Sequence, residues 1–245
     1  MLLWIIGFSI LGSIGAVAGA AVLLFFPEGV RKRLVPWLIS YATGALLGAA
    51  FLGMIPAGIN QAPAVKVTAT VLAGMVLFFV LEKLVLWRHC HDSECEIHGR
   101  AGPLILIGDA FHNFVDGVVI AAAFLTSIPL GIAAAWAVIA HEVPQEIGDF
   151  AILLDNGYGR MKAFILNTLS AAATLPGAII AYFWLGETRE AVPYILALSA
   201  ASFIYIAAAD LIPGLHRQVT FASSLGQLAL LLAGIATIAL FHFGR

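Results

Sequence analysis

The sequence predicts an all-α integral membrane protein built from eight transmembrane helices. Its 245 residues are 62% hydrophobic and only 11% charged, with a mean hydropathy of +1.01, and so few charges cannot cover a soluble surface. Apolar segments of about 20 residues recur along the chain, and a helix of that length crosses the hydrocarbon core of a bilayer. Because such segments must satisfy their own backbone polar groups, we expect residues 1–245 to form one helical transmembrane domain.

Eight segments have the length and apolarity of a membrane span. They are Leu2–Phe26, Leu34–Ile59, Val67–Trp87, Pro103–Leu125, Leu130–Leu154, Ala163–Leu185, Val192–Pro213 and Phe221–Phe243. The first has a long apolar run, no preceding basic residue and a following Arg31-Lys32-Arg33, so it is interpreted as a span and not as a signal peptide.

The basic residues of the loops predict the orientation of the bundle. With eight spans and both termini on one side, eight Lys and Arg residues fall on the opposite side and three on the side of the termini. The larger group is Arg31, Lys32, Arg33, Arg88, Arg100, Arg160, Lys162 and Arg217, and the smaller is Lys66, Arg189 and Arg245. The positive-inside rule then predicts a multi-pass protein of the cell (inner) membrane with both termini outside the cytoplasm. The net charge of -2 gives no sign of a nucleic-acid partner.

Four polar side chains interrupt the fourth span. At about 100° per residue, His112 and Asp116 fall on one helix face, with Asp109 beside them and Asn113 on the flank. One helix is therefore expected to present nitrogen and oxygen donors together.

The fifth span carries a second polar face. His141, Glu142, Gln145, Glu146 and Asp149 spread over an arc of roughly 140° on an otherwise apolar helix. Ionisable side chains in a membrane cost several kcal/mol each unless they pair, face water or bind an ion. A core histidine with an ordinary partner would explain a lone imidazole, but not two histidines and five acids on adjacent helices, so the two faces are predicted to form a metal site.

The donor types narrow the identity of the metal. Imidazole with carboxylate suits Zn²⁺ and its first-row neighbours, whereas Ca²⁺ and Mg²⁺ prefer oxygen alone. Zinc is the first expectation, and Fe²⁺, Mn²⁺ and Cd²⁺ remain open. No cysteine lies within a span, so tight thiolate binding of Cu⁺ is not expected.

The loop between the third and fourth spans, within residues 88–102, is also rich in ligand types. Its candidate ligands are His89, Cys90, His91, Cys95 and His98. On the cytoplasmic side the two cysteines should be reduced, and their spacing is not that of a structural zinc site. The sequence leaves open an exchangeable metal site or a solvated polar loop.

The second and seventh spans end alike. Gly53-Met54-Ile55-Pro56 and Asp210-Leu211-Ile212-Pro213 form the kind of matched pair that an internal repeat of a transporter leaves. Asp210 either forms a hydrogen bond between helices or contacts the ion along its path through the protein.

The two polar stretches resemble the Zrt/Irt-like (ZIP) family of divalent-metal transporters, in the bacterial-type branch with His-Asn-Phe-x-Asp-Gly and His-Glu-x-Pro-x-Glu-x-Gly-Asp motifs. The resemblance covers the whole chain and implies a ZIP-type bundle with a 3+2+3 inverted repeat, a homodimer in the lipid bilayer, and alternating access in which the first and fourth to sixth spans move against the others. It also implies roles for particular residues: His112, Asp116, His141 and Glu142 match the primary transport site, and Asn113, Asp116, Glu142 and Gln145 match a neighbouring second site.

This sequence departs from the family pattern at two places. Gln145 stands where many members have His or Glu, which weakens the second site unless Glu146, one residue on, turns inward. The second span lacks the His and Glu often found near its proline, here Pro56.

The expected function is the transport of divalent metal, zinc above all, into the cytoplasm. The alternatives are a metal sensor and an intramembrane metallohydrolase in which Glu142 is the general base. Hydrolysis is disfavoured because Gln145 replaces the second histidine of the His-Glu-x-x-His motif and Pro144 lies within it. The chain is therefore not expected to be an enzyme.

Overall fold

The structure is a computed structural model that describes residues 1–89, 101–216 and 220–243. Within these ranges the chain is helical almost throughout and contains no strand. The predicted all-α class is therefore confirmed. Its helices are α1 Leu2–Gly12, α2 Ile14–Leu24, α3 Glu28–Gly48, α4 Ile55–Ile59, α5 Ala64–His89, α6 Ala101–Thr126, α7 Ile128–Asp155, α8 Arg160–Ala171, α9 Thr174–Glu187, α10 Val192–Tyr205, α11 Ile212–Leu215 and α12 Phe221–Phe243.

Seven helical stretches in the described ranges are long and apolar enough to cross a membrane. They are Leu2–Leu23, Glu28–Ile59, Ala64–Leu84, Ile105–Thr126, Arg160–Glu187, Arg189–Leu215 and Ser223–Phe241. Each corresponds to one of the eight predicted spans. The remaining predicted span is α7, whose 28 residues give it a length of about 42 Å, but its cluster of His, Glu and Gln side chains makes it less apolar. The chain is thus a multi-span membrane protein, and the count of eight stays a prediction.

The second span starts earlier than the sequence predicted. The helix begins at Glu28, directly after Pro27, and includes the basic Arg31–Arg33 run. Lys32 Nζ lies 2.6 Å from Glu28 Oε1, one helical turn away, so the charged residues support the first turns instead of ending the helix.

Two spans are interrupted by π-helical turns at matching places. Residues Ala49–Met54 form the first π-helix and lead into Ile55-Pro56, and Ile206–Leu211 form the second and lead into Ile212-Pro213. Each ends inside one of the shared endings identified in the sequence. A π-turn carries one more residue than an α-turn and is frequent at functional sites. The common interruption agrees with an internal repeat, although the repeat arrangement itself stays a prediction.

Helix α7 lies at the centre of the bundle. It contacts α1, α2, α3, α6, α8 and α12, whereas the other large contacts join α3 with α12, α6 with α9, and α5 with α10. The first predicted span, which comprises α1 and α2, is part of this packing. Helix α1 contacts α6, α7 and α9, and helix α2 contacts α7 and α8. The polar face of α7 is consequently enclosed by apolar helices.

Glycines hold α6 against α9 at backbone contact. A Cβ added to Gly117 would lie 2.0 Å from the carbonyl oxygen of Thr174, and one added to Gly177 would lie 2.1 Å from that of Phe114. Small residues at such crossings allow helix backbones to approach closely in membranes. This contact fixes the position of the helix that carries His112 and Asp116.

We expect Gly117→Ala to destabilise the bundle because the new methyl group can be accommodated only by separating α6 from α9. Overpacking of this kind costs roughly 1–3 kcal/mol. The melting temperature of the detergent-purified protein measures it. Gly7→Ala is the matched control, because a Cβ at Gly7 has no neighbour within 4 Å. Equal melting temperatures for the two variants would contradict the close contact.

Candidate metal centre

Two histidines and two carboxylates from adjacent turns of α6 and α7 meet inside the bundle. His112 and Asp116 stand one turn apart on α6, and His141 and Glu142 are neighbours on α7. One ligand-type atom from each lies within 4.8 Å of the other three. His112 is part-buried, while the other three side chains are buried. The structure thus brings together the four residues that the resemblance assigned to a primary site.

The separations in this cluster match those of a tetrahedral ligand shell. Nε2 of His112 lies 3.1 Å from Nε2 of His141 and 3.2 Å from Oε1 of Glu142. Nε2 of His141 lies 3.3 Å from Oδ2 of Asp116 and 3.4 Å from Oε1 of Glu142, and the pair His112 Nε2 and Asp116 Oδ2 is 3.7 Å apart. Zinc bonds of about 2.0–2.2 Å in tetrahedral geometry place neighbouring ligand atoms roughly 3.3–3.6 Å apart. One cation would fit between the four atoms with little rearrangement.

The ring of His141 is oriented for binding through Nε2. Its Nδ1 lies 3.0 Å from the carbonyl oxygen of Ala137, and a ring N–H donated to a carbonyl fixes the tautomer with the lone pair on the other nitrogen. That nitrogen faces Asp116 and Glu142. Phe203 of α10 packs edge-on against the same ring and limits its rotation.

The carboxylates of the cluster lack ordinary partners. Both oxygens of Asp116 and both oxygens of Glu142 are buried, and the described residues supply no hydrogen bond to them. In the described chain, only the two imidazoles lie within ion-pair distance of them, and buried carboxylates cost several kcal/mol unless they pair or bind an ion. The arrangement therefore favours a cation, and the donor set fits a divalent metal ion of the zinc type.

A second group of three carboxylates adjoins the first. Oxygen atoms of Asp109, Glu142 and Glu146 lie within 4.8 Å of one another, and all three side chains are buried. Asn167 of α8 donates to a carboxylate oxygen of Glu146, while the other Glu146 oxygen has no partner in the described chain. Glu142 belongs to both groups, so the two clusters share a ligand.

Asn113 and Gln145 lie beside these clusters and have other partners. Nδ2 of Asn113 donates to Oδ1 of Asp109 over 3.0 Å, and its Oδ1 accepts a 2.9 Å hydrogen bond from the Thr174 hydroxyl. Nε2 of Gln145 lies 3.3 Å from the same oxygen of Asp109. The two amides thus orient Asp109.

Sequence reasoning missed Asn167 and Thr174. Both stand in a run of small and apolar residues on α8 and α9, and only the fold brings them to α6 and α7. Asparagine in the middle of an apolar span was the available signal, because it needs a hydrogen-bond partner there.

A cavity of about 530 Å³ leads away from the centre. His112 and His141 lie at its inner end, Asp109 and Gln145 along it, and Asp149 near the end of α7. Asp210 of the second π-helix also lines it, which places this acid on a polar passage and not in a packed helix interface. Along α6 and α7, the lining residues run from the metal cluster toward the end of the bundle that bears Arg31–Arg33.

The predicted loop ligands are not located by the structure. Cys90, His91, Cys95 and His98 lie outside the described residues, and His89 is described only as the last residue of α5. The loop metal site stays a prediction.

A bundle of apolar helices that encloses imidazole and carboxylate groups at zinc-site spacing defines a membrane protein that handles a divalent transition-metal ion. Residues 88–242 match the ZIP zinc transporter family. The chain is 33% identical to zinc transporter ZIP13 of Pongo abelii, with 95% of the chain and 77% of the relative aligned. It is 29% identical to the ZIP13 homolog of Drosophila melanogaster, over 95% and 87% of the two chains, and 29% identical to human ZIP13, over 95% and 80%.

The chain therefore belongs to the ZIP family of zinc transporters. These proteins are not enzymes, so the metallohydrolase alternative is set aside. The relatives named above are eukaryotic, and they do not support the narrower prediction of a bacterial-type branch.

Proposed function

We propose that this protein carries Zn²⁺ across the membrane into the cytoplasm by alternating access, with His112, Asp116, His141 and Glu142 as the transport site. The observation that carries the proposal is the group of four donor atoms at tetrahedral spacing, built around two buried carboxylates that accept no hydrogen bond from the described residues. Two imidazoles and two carboxylates bind a zinc-type ion without thiolates, as suits an ion that must be released again.

Charge and the cavity support the proposed direction of transport. The cavity extends from the transport site toward the end of the bundle that carries Arg31–Arg33, which the positive-inside rule assigns to the cytoplasm. Asp109, Asp149 and Asp210 along it would favour passage of a cation. We infer a cell-membrane protein in which α7 is the fifth of eight spans and both termini lie outside.

Helix packing supports a moving unit built from α1, α2 and α6 to α9. Within it α6 packs on α9 and α7 packs on α2, α6 and α8, whereas in the other group α3 packs on α12 and α5 on α10. Contacts of α7 with α3 and α12 join the two groups. Both candidate clusters lie on α6 and α7 and so belong to one group. Alternating access would then arise when this group shifts against the other, which in a homodimer would form the stationary part.

The second cluster is a weaker cation site in this proposal. Glu146 takes the place left by the neutral Gln145, and with Asp109 and Glu142 it offers an all-oxygen group. Oxygen ligands alone suit zinc less well than a mixed set with imidazole. Any second ion is expected to bind more loosely than the first.

The test is uptake by the purified full-length protein in proteoliposomes, with a panel of divalent ions outside and the internal pH recorded. Zn²⁺ is expected to enter fastest, with Cd²⁺, Fe²⁺ or Mn²⁺ carried to a lesser degree. Mg²⁺ and Ca²⁺ should not compete, because their preferred shells contain no imidazole. Protein-free liposomes are the control. Uptake of Mg²⁺ at the rate of Zn²⁺ would refute the assignment of the substrate.

A further inference from the structure

A second polar cavity lies at the end of the bundle that bears Arg31–Arg33. Its volume is about 420 Å³, and it shares no lining residue with the cavity at the metal cluster. The ends of four helices form it, because its lining comes from the end of α2, the start of α3, the end of α7 and the start of α8. Arg31 and Arg160 supply its charge, and Phe25, Phe150, Met161 and Phe164 supply much of its apolar wall.

The two arginines have no anionic partner among the described residues. The one carboxylate in the first turn of α3, Glu28, pairs with Lys32, and the remaining ion pairs in the described ranges involve only the two histidines of the metal cluster. Nε of Arg31 is buried and lacks any hydrogen-bond acceptor. A buried donor at a charged group that is left unpaired is costly, so the cavity favours an anion.

The apolar wall determines what kind of anion fits. Phe25 is 90% exposed and Met161 70% exposed, and both stand where a span meets its loop, at the depth of lipid headgroups. A small free anion would leave these faces uncovered, whereas a lipid would place its phosphate at the arginines and its acyl chains along the aromatic rings. Guanidinium groups bind phosphate through paired N–H donors.

We propose that this cavity binds an anionic phospholipid, with the headgroup phosphate held between Arg31 and Arg160 and an acyl chain against Phe25 and Phe164. Basic pockets between helices on the cytoplasmic side are typical sites for acidic lipid headgroups. The site joins the first span, α7 and α8, and a bound lipid would strengthen that part of the bundle.

The experiment measures the melting temperature of the full-length protein in detergent as dioleoylphosphatidylglycerol is added. The matched arms contain dioleoylphosphatidylcholine or inorganic phosphate. We expect a saturable rise with phosphatidylglycerol alone. Arg31→Gln with Arg160→Gln should weaken the apparent affinity roughly thirtyfold, because each arginine near a headgroup contributes about fivefold. The control Lys32→Gln with Arg33→Gln removes the same charge from exposed positions and should leave the affinity within about twofold, as expected for surface charges.

Arg160→Gln alone provides the test if the double variant does not fold, because Arg160 is exposed and its replacement should spare the structure while weakening lipid binding several-fold. An unchanged affinity in this variant would overturn the proposal. So would an equal rise with phosphatidylcholine, which would mean that acyl chains alone are bound, or with inorganic phosphate, which would mean that no lipid is needed.

Discussion

Glu142→Gln is expected to abolish zinc uptake while leaving the protein folded. The glutamine has the same shape but lacks the charge that both clusters use, and its amide would place N–H donors where a cation should bind. Loss even of an outer-shell partner lowers metal affinity by roughly 10–100-fold, so removal of a direct ligand should reduce uptake by at least about that factor. Asp116→Asn is expected to behave in the same way.

The stability of these variants provides an independent measurement. Without metal, Glu142→Gln should melt no lower than the parent protein, because the change removes one of several crowded buried carboxylates, and its oxygens accept no hydrogen bond from the described residues. With Zn²⁺, the parent should melt higher and the variant should not. Asp155→Asn is the matched control, since this acid is exposed at the end of α7. Near-normal uptake by Glu142→Gln would contradict the assigned site.

Gln145→His is expected to raise the number of tightly bound zinc ions from one to two per chain. In the native protein, Gln145 donates to Asp109 and adds no charge or strong donor to the second cluster. An imidazole at this position would supply a nitrogen ligand next to Asp109, Glu142 and Glu146, and a mixed set binds zinc better than carboxylates alone. Calorimetric titration of the purified protein measures the change.

The titration requires a background in which the five loop residues, His89, Cys90, His91, Cys95 and His98, are replaced so that the loop contributes no sites. Gln61→His makes the same substitution at an exposed glutamine and should leave one tight equivalent. Two tight equivalents before any change at position 145 would show that carboxylates alone suffice. A single equivalent in Gln145→His would show that the side chain cannot reach the cluster.

The sequence was sufficient for the spans and for the centre of the site because both depend on local rules. A long apolar segment in a membrane must be a helix, since no other local structure pairs all its backbone groups. His112 and Asp116 are one turn apart, and His141 and Glu142 are neighbours, so their helices alone bring each pair together. The structure places all four in one cluster.

Other features depended on contacts between distant residues. The partners of Asn113 and Glu146 are Thr174 and Asn167, and no local pattern links them. Whether Gln145 or Glu146 faces the second cluster depends on how α7 is rotated against α6 and α8, because the two residues are about 100° apart on the helix. The π-turns were likewise invisible, since one additional residue in a turn leaves no trace in the hydropathy pattern.

If each cluster binds an ion as proposed, the carboxylate of Glu142, common to both clusters, would make the two sites thermodynamically dependent on each other. An ion entering either cluster withdraws negative charge from the other, and by linkage each ion weakens the other by the same factor. Such negative cooperativity acts like the knock-on between adjacent sites in a conducting pore, where an arriving ion promotes the departure of the one before it. Tight capture at low external zinc and prompt release at high zinc would then follow from a single shared side chain.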